Sequence, residues 1–131
     1  MKCLVVDDDN LDHTLIQNYV STSCEDIIVA ADGREAVDAF KAALDEESPF
    51  DLIVLDVVMP AMDGLQTLRA IRELEATRGI LHLDGVKVIM TTALRDAKHV
   101  LGAYQMGCEA YLLKPVKKED LMAEIDKLGL T

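Results

Sequence analysis

Four short apolar runs in this chain lead into residues that could do chemistry. Asp7, Asp8 and Asp9 follow the first, Asp56 follows Leu52-Ile53-Val54-Leu55, Thr91 and Thr92 follow the third, and Lys114 stands between Leu113 and Pro115. Brought together, they make a cluster of carboxylates with a hydroxyl and an ammonium. Two ionised carboxylates about 4 Å apart repel by about 4 kcal/mol at an effective dielectric near 20, so such a cluster calls for a cation. Hard oxygen donors with open positions suit Mg²⁺, which keeps part of its water and bridges readily to phosphate. Asp56, held at the end of an apolar run, is the candidate nucleophile toward phosphorus. Lys114 offers a fixed positive charge and Thr92 a hydroxyl donor, both suited to phosphoryl oxygens. The chemistry predicted is formation of an acyl phosphate on a carboxylate.

These residues meet only if the apolar runs are parallel strands. Five runs qualify, over residues 3–6, 26–30, 52–55, 86–90 and 110–113, each short and mostly rich in branched side chains, as strands buried on both faces are. Helical spacing fills the intervals, as in Ala36, Val37, Ala39, Phe40, Ala43 and Leu44, then in Leu65, Leu68, Ile71, Arg72 and Leu74, and last in Leu121, Met122, Ile125 and Leu128. Asp32-Gly33 opens the second helix, Ser48-Pro49 ends it and Asp63-Gly64 starts the third. Strand and helix alternate five times, which predicts an α/β fold with a parallel sheet, helices on both faces and right-handed crossovers. Ligands of such sheets bind at the carboxyl ends of the strands. No repeat, low-complexity tract or linker interrupts residues 1–131, and a single domain is expected.

Composition is consistent with this. A chain of 131 residues buries roughly two-thirds of its unfolded surface. With half the residues hydrophobic but only 4% aromatic, the core is built from Val, Ile, Leu, Met and Ala. An excess of 24 Asp and Glu over 13 Lys and Arg repels nucleic-acid backbones and anionic membranes, so neither is an expected partner. No apolar run approaches the ~18 residues of a membrane span, and the N-terminal run is too short for a signal peptide. Cys3, Cys24 and Cys108 lie far apart among apolar residues without metal-ligand spacing, which predicts three reduced, buried thiols and a cytoplasmic protein.

The segments VVDDDN at 5–10, LDVVMPAMDG at 55–64, MTTA at 90–93 and AYLLKP at 110–115 resemble the response-regulator receiver domains of two-component signalling, in particular the stand-alone chemotaxis-regulator type. The resemblance spans essentially the whole chain. It implies a flavodoxin-like sheet in the order 2-1-3-4-5, which is the order of the chemotaxis regulator itself among doubly wound folds. It further implies Asp7 and Asp8 as the acidic pair for Mg²⁺, Asp56 as phosphoacceptor and ligand, and the backbone carbonyl of Val58 as a third ligand. Thr92 becomes the switch hydroxyl, Tyr111 the aromatic that turns inward with it, and Lys114 the partner of the phosphoryl group. A cis Lys114–Pro115 peptide is implied too. A histidine kinase or phosphotransfer protein would donate the phosphoryl group, a separate output protein would read it, and the chain would be a monomer or a phosphorylation-dependent dimer. It would catalyse only its own phosphorylation and dephosphorylation. Val58 and Leu94 depart from the polar residues often found in fast-cycling members, which predicts slow self-dephosphorylation.

Other readings of the same residues stay open. Asp9 or Asn10 serves better as a cap of the first helix than as a ligand, and Thr91 is the alternative to Thr92. Tyr111 is alternatively a static, half-buried tyrosine. His13, His82 and His99 share no ligand spacing, and residues 117–120 read as a solvated helix start. Residues 76–85 form a longer link than usual, either a surface insertion or a loop that touches a partner. A competing function is a small Mg²⁺-dependent aspartyl phosphohydrolase similar to the haloacid dehalogenase superfamily, with Asp7 as nucleophile and Asp9 as acid. A receiver cut from a larger regulator, or one that only docks, is a further alternative.

Overall fold

The computed structural model describes residues 1–93 and 102–130, the side chain of His82 excepted. Five strands alternate with helices: β1 Lys2–Val6, α1 Asn10–Val20, β2 Asp26–Ala30, α2 Gly33–Asp45, β3 Leu52–Asp56, α3 Gly64–Thr77, β4 Lys87–Thr92, β5 Ala110–Leu113 and a C-terminal helix Lys118–Lys127. All strand pairs are parallel and the order is β2-β1-β3-β4-β5, as expected. The helix expected between β4 and β5 falls mainly on residues 94–101, outside the described residues, as do Leu94 and His99; residues 102–105 are helical.

Every residue of β3 is buried, because the sheet is covered on both sides. On one side Phe40 and Ala36 of α2 and Leu68 and Ile71 of α3 pack on Leu4, Val6, Ile53, Leu55, Val88 and Met90. On the other, Ile16 and Val20 of α1 and Leu121 and Ile125 of the C-terminal helix pack on Val5, Leu52, Val54 and Ile89. Period-two alternation along each strand sorts its side chains between these two layers.

The helix starts are set by aspartates, as the Asp-Gly pairs predict. Asp32 accepts from the Glu35 N–H at 2.8 Å, and Asp63 with Gln66 forms a reciprocal capping box. Helix α2 ends at Asp45, three residues before Ser48-Pro49, and Glu47 takes a left-handed φ of 57° to turn the chain. Gly64 is required for a different reason: a Cβ there would lie 2.2 Å from the Asp56 carbonyl oxygen, so the start of α3 sits hard against the end of β3.

The cysteines differ from expectation. Cys3 and Cys24 are joined by a disulfide, and only Cys108 is a free, buried thiol. The return of the chain through α1 puts the two Cα atoms 6.3 Å apart, within reach of a bridge; a spacing of 21 residues carries no such information. The reading of a reducing compartment from cysteine usage therefore loses two of its three residues. Burial, with a smaller push from the Glu109 carboxylate, raises the Cys108 thiol to about 12 and leaves it unreactive.

Residues 76–85 continue α3 to Thr77 and then form a short 3-10 helix, His82–Asp84, with Leu81 and Leu83 outside. This link is tied inward by a buried ionic network. The Arg72 guanidinium donates to Glu75 at 2.7 Å, to Glu109 at 3.1 Å, and to the carbonyls of Val86 and Gly107 at 2.8 and 2.6 Å. The two carboxylates in turn accept the Val86 and Val88 backbone N–H groups at 2.7 and 2.6 Å. Arg72 thus fastens α3 to the start of β4 and the chain leading into β5.

Candidate functional site

The carboxyl ends of β1, β3, β4 and β5 meet at one edge of the sheet, each held by the backbone. The Asp7 N–H donates to the Ala30 carbonyl at 3.1 Å, that of Val57 to Thr91 at 2.9 Å, and that of Lys114 to Thr92 at 2.8 Å. Asp7 and Asp56 are buried at 0% and 3% exposure, while Asp8 is open to solvent. One carboxylate oxygen from each of Asp7, Asp8 and Asp56 lies within 4.8 Å of the others. The expected acidic cluster is assembled.

Lys114 enters the same cluster across the sheet. Its ammonium donates to Asp7 Oδ2 at 2.8 Å and to Asp12 Oδ2 at 3.0 Å, and stands 3.3 Å from Asp56 Oδ2. Burial pulls the ammonium down, but the hydrogen bonds to Asp7 and Asp12 and the charges of Asp56 and Asp7 outweigh it and raise its pKa overall. Asp12 was not among the residues expected here. It lies in the first turn of α1, and only the helix geometry brings it over Lys114.

Asp56 shows how short of positive charge the cluster is. Its carboxyl is raised from 3.8 to about 6, first by burial and then by the neighbouring Asp7 carboxylate, against the opposing pull of Lys114 and of the Val58 N–H, which lies 3.3 Å from Asp56 Oδ1. One ammonium shared among carboxylates does not balance them. A divalent cation held by hard oxygens fits this donor set, and the residues that fit it are Asp7, Asp8 and Asp56.

The shift has a measurable consequence for stability. Between pH 3.8 and about 6 the folded protein holds a proton on Asp56 that the unfolded chain releases. The stabilisation is therefore full below the lower value and is lost as pH rises to the upper one, amounting to about 3 kcal/mol. Urea unfolding in chelating buffer across this window should show that fall, and Asp56→Asn should flatten it; an unchanged slope in the variant would assign the pH dependence elsewhere.

Asp9 plays the capping role foreseen for it, accepting from the Leu11 and Asp12 N–H groups at 2.9 and 3.1 Å. Thr91 and Thr92 are both buried, the first opposite Asp56 and the second at the last position of β4. Alternation puts Thr92 on the side of Val88 and Met90, where Tyr111 of β5 also packs. Thr91 lies on the other side with Ile89, and its hydroxyl is buried without a hydrogen-bond partner among the described residues. Tyr111 is half-buried, and the Lys114–Pro115 peptide is cis. Val58 turns its side chain to solvent.

Residues 3–126 match the sequence profile of the response regulator receiver domain. The chain is 31% identical over 128 residues to the chemotaxis protein CheY of Listeria monocytogenes, covering 97% of each. It is 36% identical to the transcriptional regulatory protein CpxR of Escherichia coli, covering 95% of this chain and 47% of that one, and 33% identical to a probable transcriptional regulator, ycf27, of Porphyridium aerugineum, covering 95% and 46%. The chain thus spans about half the length of these two regulators. Among solved structures, the CheX–CheY–BeF3–Mg²⁺ complex of Borrelia burgdorferi superposes with a TM-score of 0.84 at 26% identity, covering 100% of this chain and 90% of that one. CheY4 of Vibrio cholerae superposes at 0.77 and 25%, covering 97% of each. Among the described residues no helix is long and apolar enough to cross a membrane.

Proposed function

The chain belongs to the response-regulator receiver family and is a two-component signalling protein, and on that premise we propose that residues 1–131 act as a single receiver domain phosphorylated on Asp56. The observation that carries the assignment is the Asp56 carboxylate at the end of β3, buried beside Asp7 and 3.3 Å from the Lys114 ammonium. One Asp56 oxygen forms a bond to phosphorus as the bond from phosphorus to the donor nitrogen of a phosphohistidine breaks, and the electron pair leaves with the imidazole. Lys114 and the Thr92 hydroxyl stabilise the phosphoryl oxygens. Bound by Asp7, Asp8, Asp56 and the Val58 carbonyl, Mg²⁺ would neutralise charge between the carboxylates and the phosphoryl group.

Receiver domains interact with histidine kinases or phosphotransfer proteins and with output partners, and we assign this chain the same two kinds of partner. The resemblance to a hybrid histidine kinase of Dictyostelium discoideum and to the CheX-bound CheY of Borrelia burgdorferi supports that assignment. Thr92 and Tyr111, on one face of β4 and β5, form the switch whose altered surface changes partner affinity. We place the activity in the cytoplasm, where ATP-derived phosphoryl donors are found. A phosphohydrolase with Asp7 as nucleophile and Asp9 as acid fits poorly, since both Asp7 oxygens are engaged, by the Asp9 N–H and the Lys114 ammonium, and the Asp9 carboxylate is engaged as the α1 cap.

Incubation with acetyl phosphate and Mg²⁺, reductive trapping and peptide mapping test the assignment. Modification of Asp56 that disappears on chelation is expected; modification of Asp7 would falsify the receiver mechanism in favour of the hydrolase. With Val58 53% exposed and its apolar side chain unable to hydrogen-bond a water, self-dephosphorylation should take minutes or longer. Release of phosphate within seconds, followed after removal of donor, contradicts that expectation.

A further inference from the structure

We infer that Asp12 is a positioning residue that holds the Lys114 ammonium in the unphosphorylated site and thereby restrains phosphorylation of Asp56, an inference that rests on the receiver function proposed above. An ammonium has three N–H donors. Two are committed to Asp7 and Asp12 at 2.8 and 3.0 Å, and Asp56 stands nearest the third at 3.3 Å. Acyl phosphate chemistry uses Asp7 and Asp56, but it has no need of Asp12. Yet Asp12 is set firmly in place: it lies in the first turn of α1, where the helix dipole favours its charge, and its N–H donates to the Asp9 cap at 3.1 Å.

A phosphoryl group on Asp56 brings close to two negative charges and three acceptor oxygens. For Lys114 to give the phosphoryl oxygens more than the one N–H that already faces Asp56, one of its present carboxylates must let go. Asp7 is fully buried and would be left poorly solvated, whereas the Asp12 side chain is 40% exposed and regains water when released. Asp12 is therefore the contact that gives way, and its bond to Lys114 stabilises the unphosphorylated state relative to the product. Its charge also repels an anionic donor, but that second effect does not pass through Lys114. The two separate in a double-mutant cycle.

In the full chain with Mg²⁺ and acetyl phosphate, Asp12→Asn should raise the maximal rate of Asp56 phosphorylation about threefold, the scale of a partly exposed ion pair, apart from any fall in the half-saturating donor concentration that follows from removing its charge. In a Lys114→Ala background, where phosphorylation is slow and is followed over hours by mass spectrometry, the same substitution should leave the maximal rate unchanged. A rise in the maximal rate that persists without Lys114, a change confined to donor saturation, or no rise at all would overturn the inference. Asp12→Ala should give the same direction and serves where Asp12→Asn weakens the start of α1. Failure of the unsubstituted protein to be modified on Asp56 would overturn the receiver assignment as well, whereas modification that Asp12→Asn leaves unaltered overturns only the role of Asp12.

Discussion

Asp56→Asn is expected to abolish Mg²⁺-dependent phosphorylation by acetyl phosphate, a loss of more than ~10³-fold of the kind that follows removal of a covalent nucleophile. Asparagine keeps the shape of the side chain but has no carboxylate oxygen to bond phosphorus. The loss should come without unfolding. Ionised Asp56 is held against burial and the Asp7 charge, so a neutral amide at that position relieves repulsion, and the variant should be at least as stable as the parent at neutral pH. Phosphopeptide mapping and urea denaturation on the same sample check both halves. Phosphorylation of Asp56→Asn at the parental rate would transfer the acceptor role to another carboxylate, and a collapse in stability would make the loss uninformative about chemistry.

Arg72→Met is expected to be among the most destabilising single substitutions in the chain, costing roughly 3–5 kcal/mol, because it leaves buried charge without its partner. The Glu75 and Glu109 side chains are only 4% and 14% exposed, and they share this one guanidinium. Replacing the carboxylates as well would not restore stability fully, since the Val86 and Val88 N–H groups depend on them as acceptors at 2.7 and 2.6 Å. Urea unfolding should show a lower midpoint with an unchanged slope. A cost below about 1 kcal/mol would mean that water replaces the arginine in the network, as for exposed pairs. Because the network holds the edge of the sheet away from Asp56, the residual folded protein should still take up phosphate on Asp56.

The layers, the element order and the acidic cluster were legible because each leaves a local trace. Apolar runs of four or five residues mark buried strands, and Asp-Gly pairs mark helix starts. The strand order came from family resemblance, since nothing local in the sequence says that β1 sits between β2 and β3. Strand ends shifted slightly: β4 runs on to Thr92, so both threonines belong to the strand rather than to the loop after it. What stayed hidden depends on through-space contacts. Asp12 is a plain helix-start aspartate until α1 is laid over Lys114. Arg72 was counted with the apolar face of α3, and its partner Glu109 is 37 residues away. The Cys3–Cys24 bridge follows from where α1 returns the chain, not from spacing. The site itself was readable because charged and hydroxyl residues stand where a buried strand gives them no packing reason to be.

The outward-facing valine two residues past Asp56 bears on time rather than on structure. On the slow self-dephosphorylation proposed above, the switch would behave as a store, its level summing the kinase activity received until a second protein cleared it. The interval over which input is averaged would then be fixed by how much of that second protein is present. Sensitivity and memory would then be retuned by changing the abundance of another protein, while the sequence of this one stays as it is.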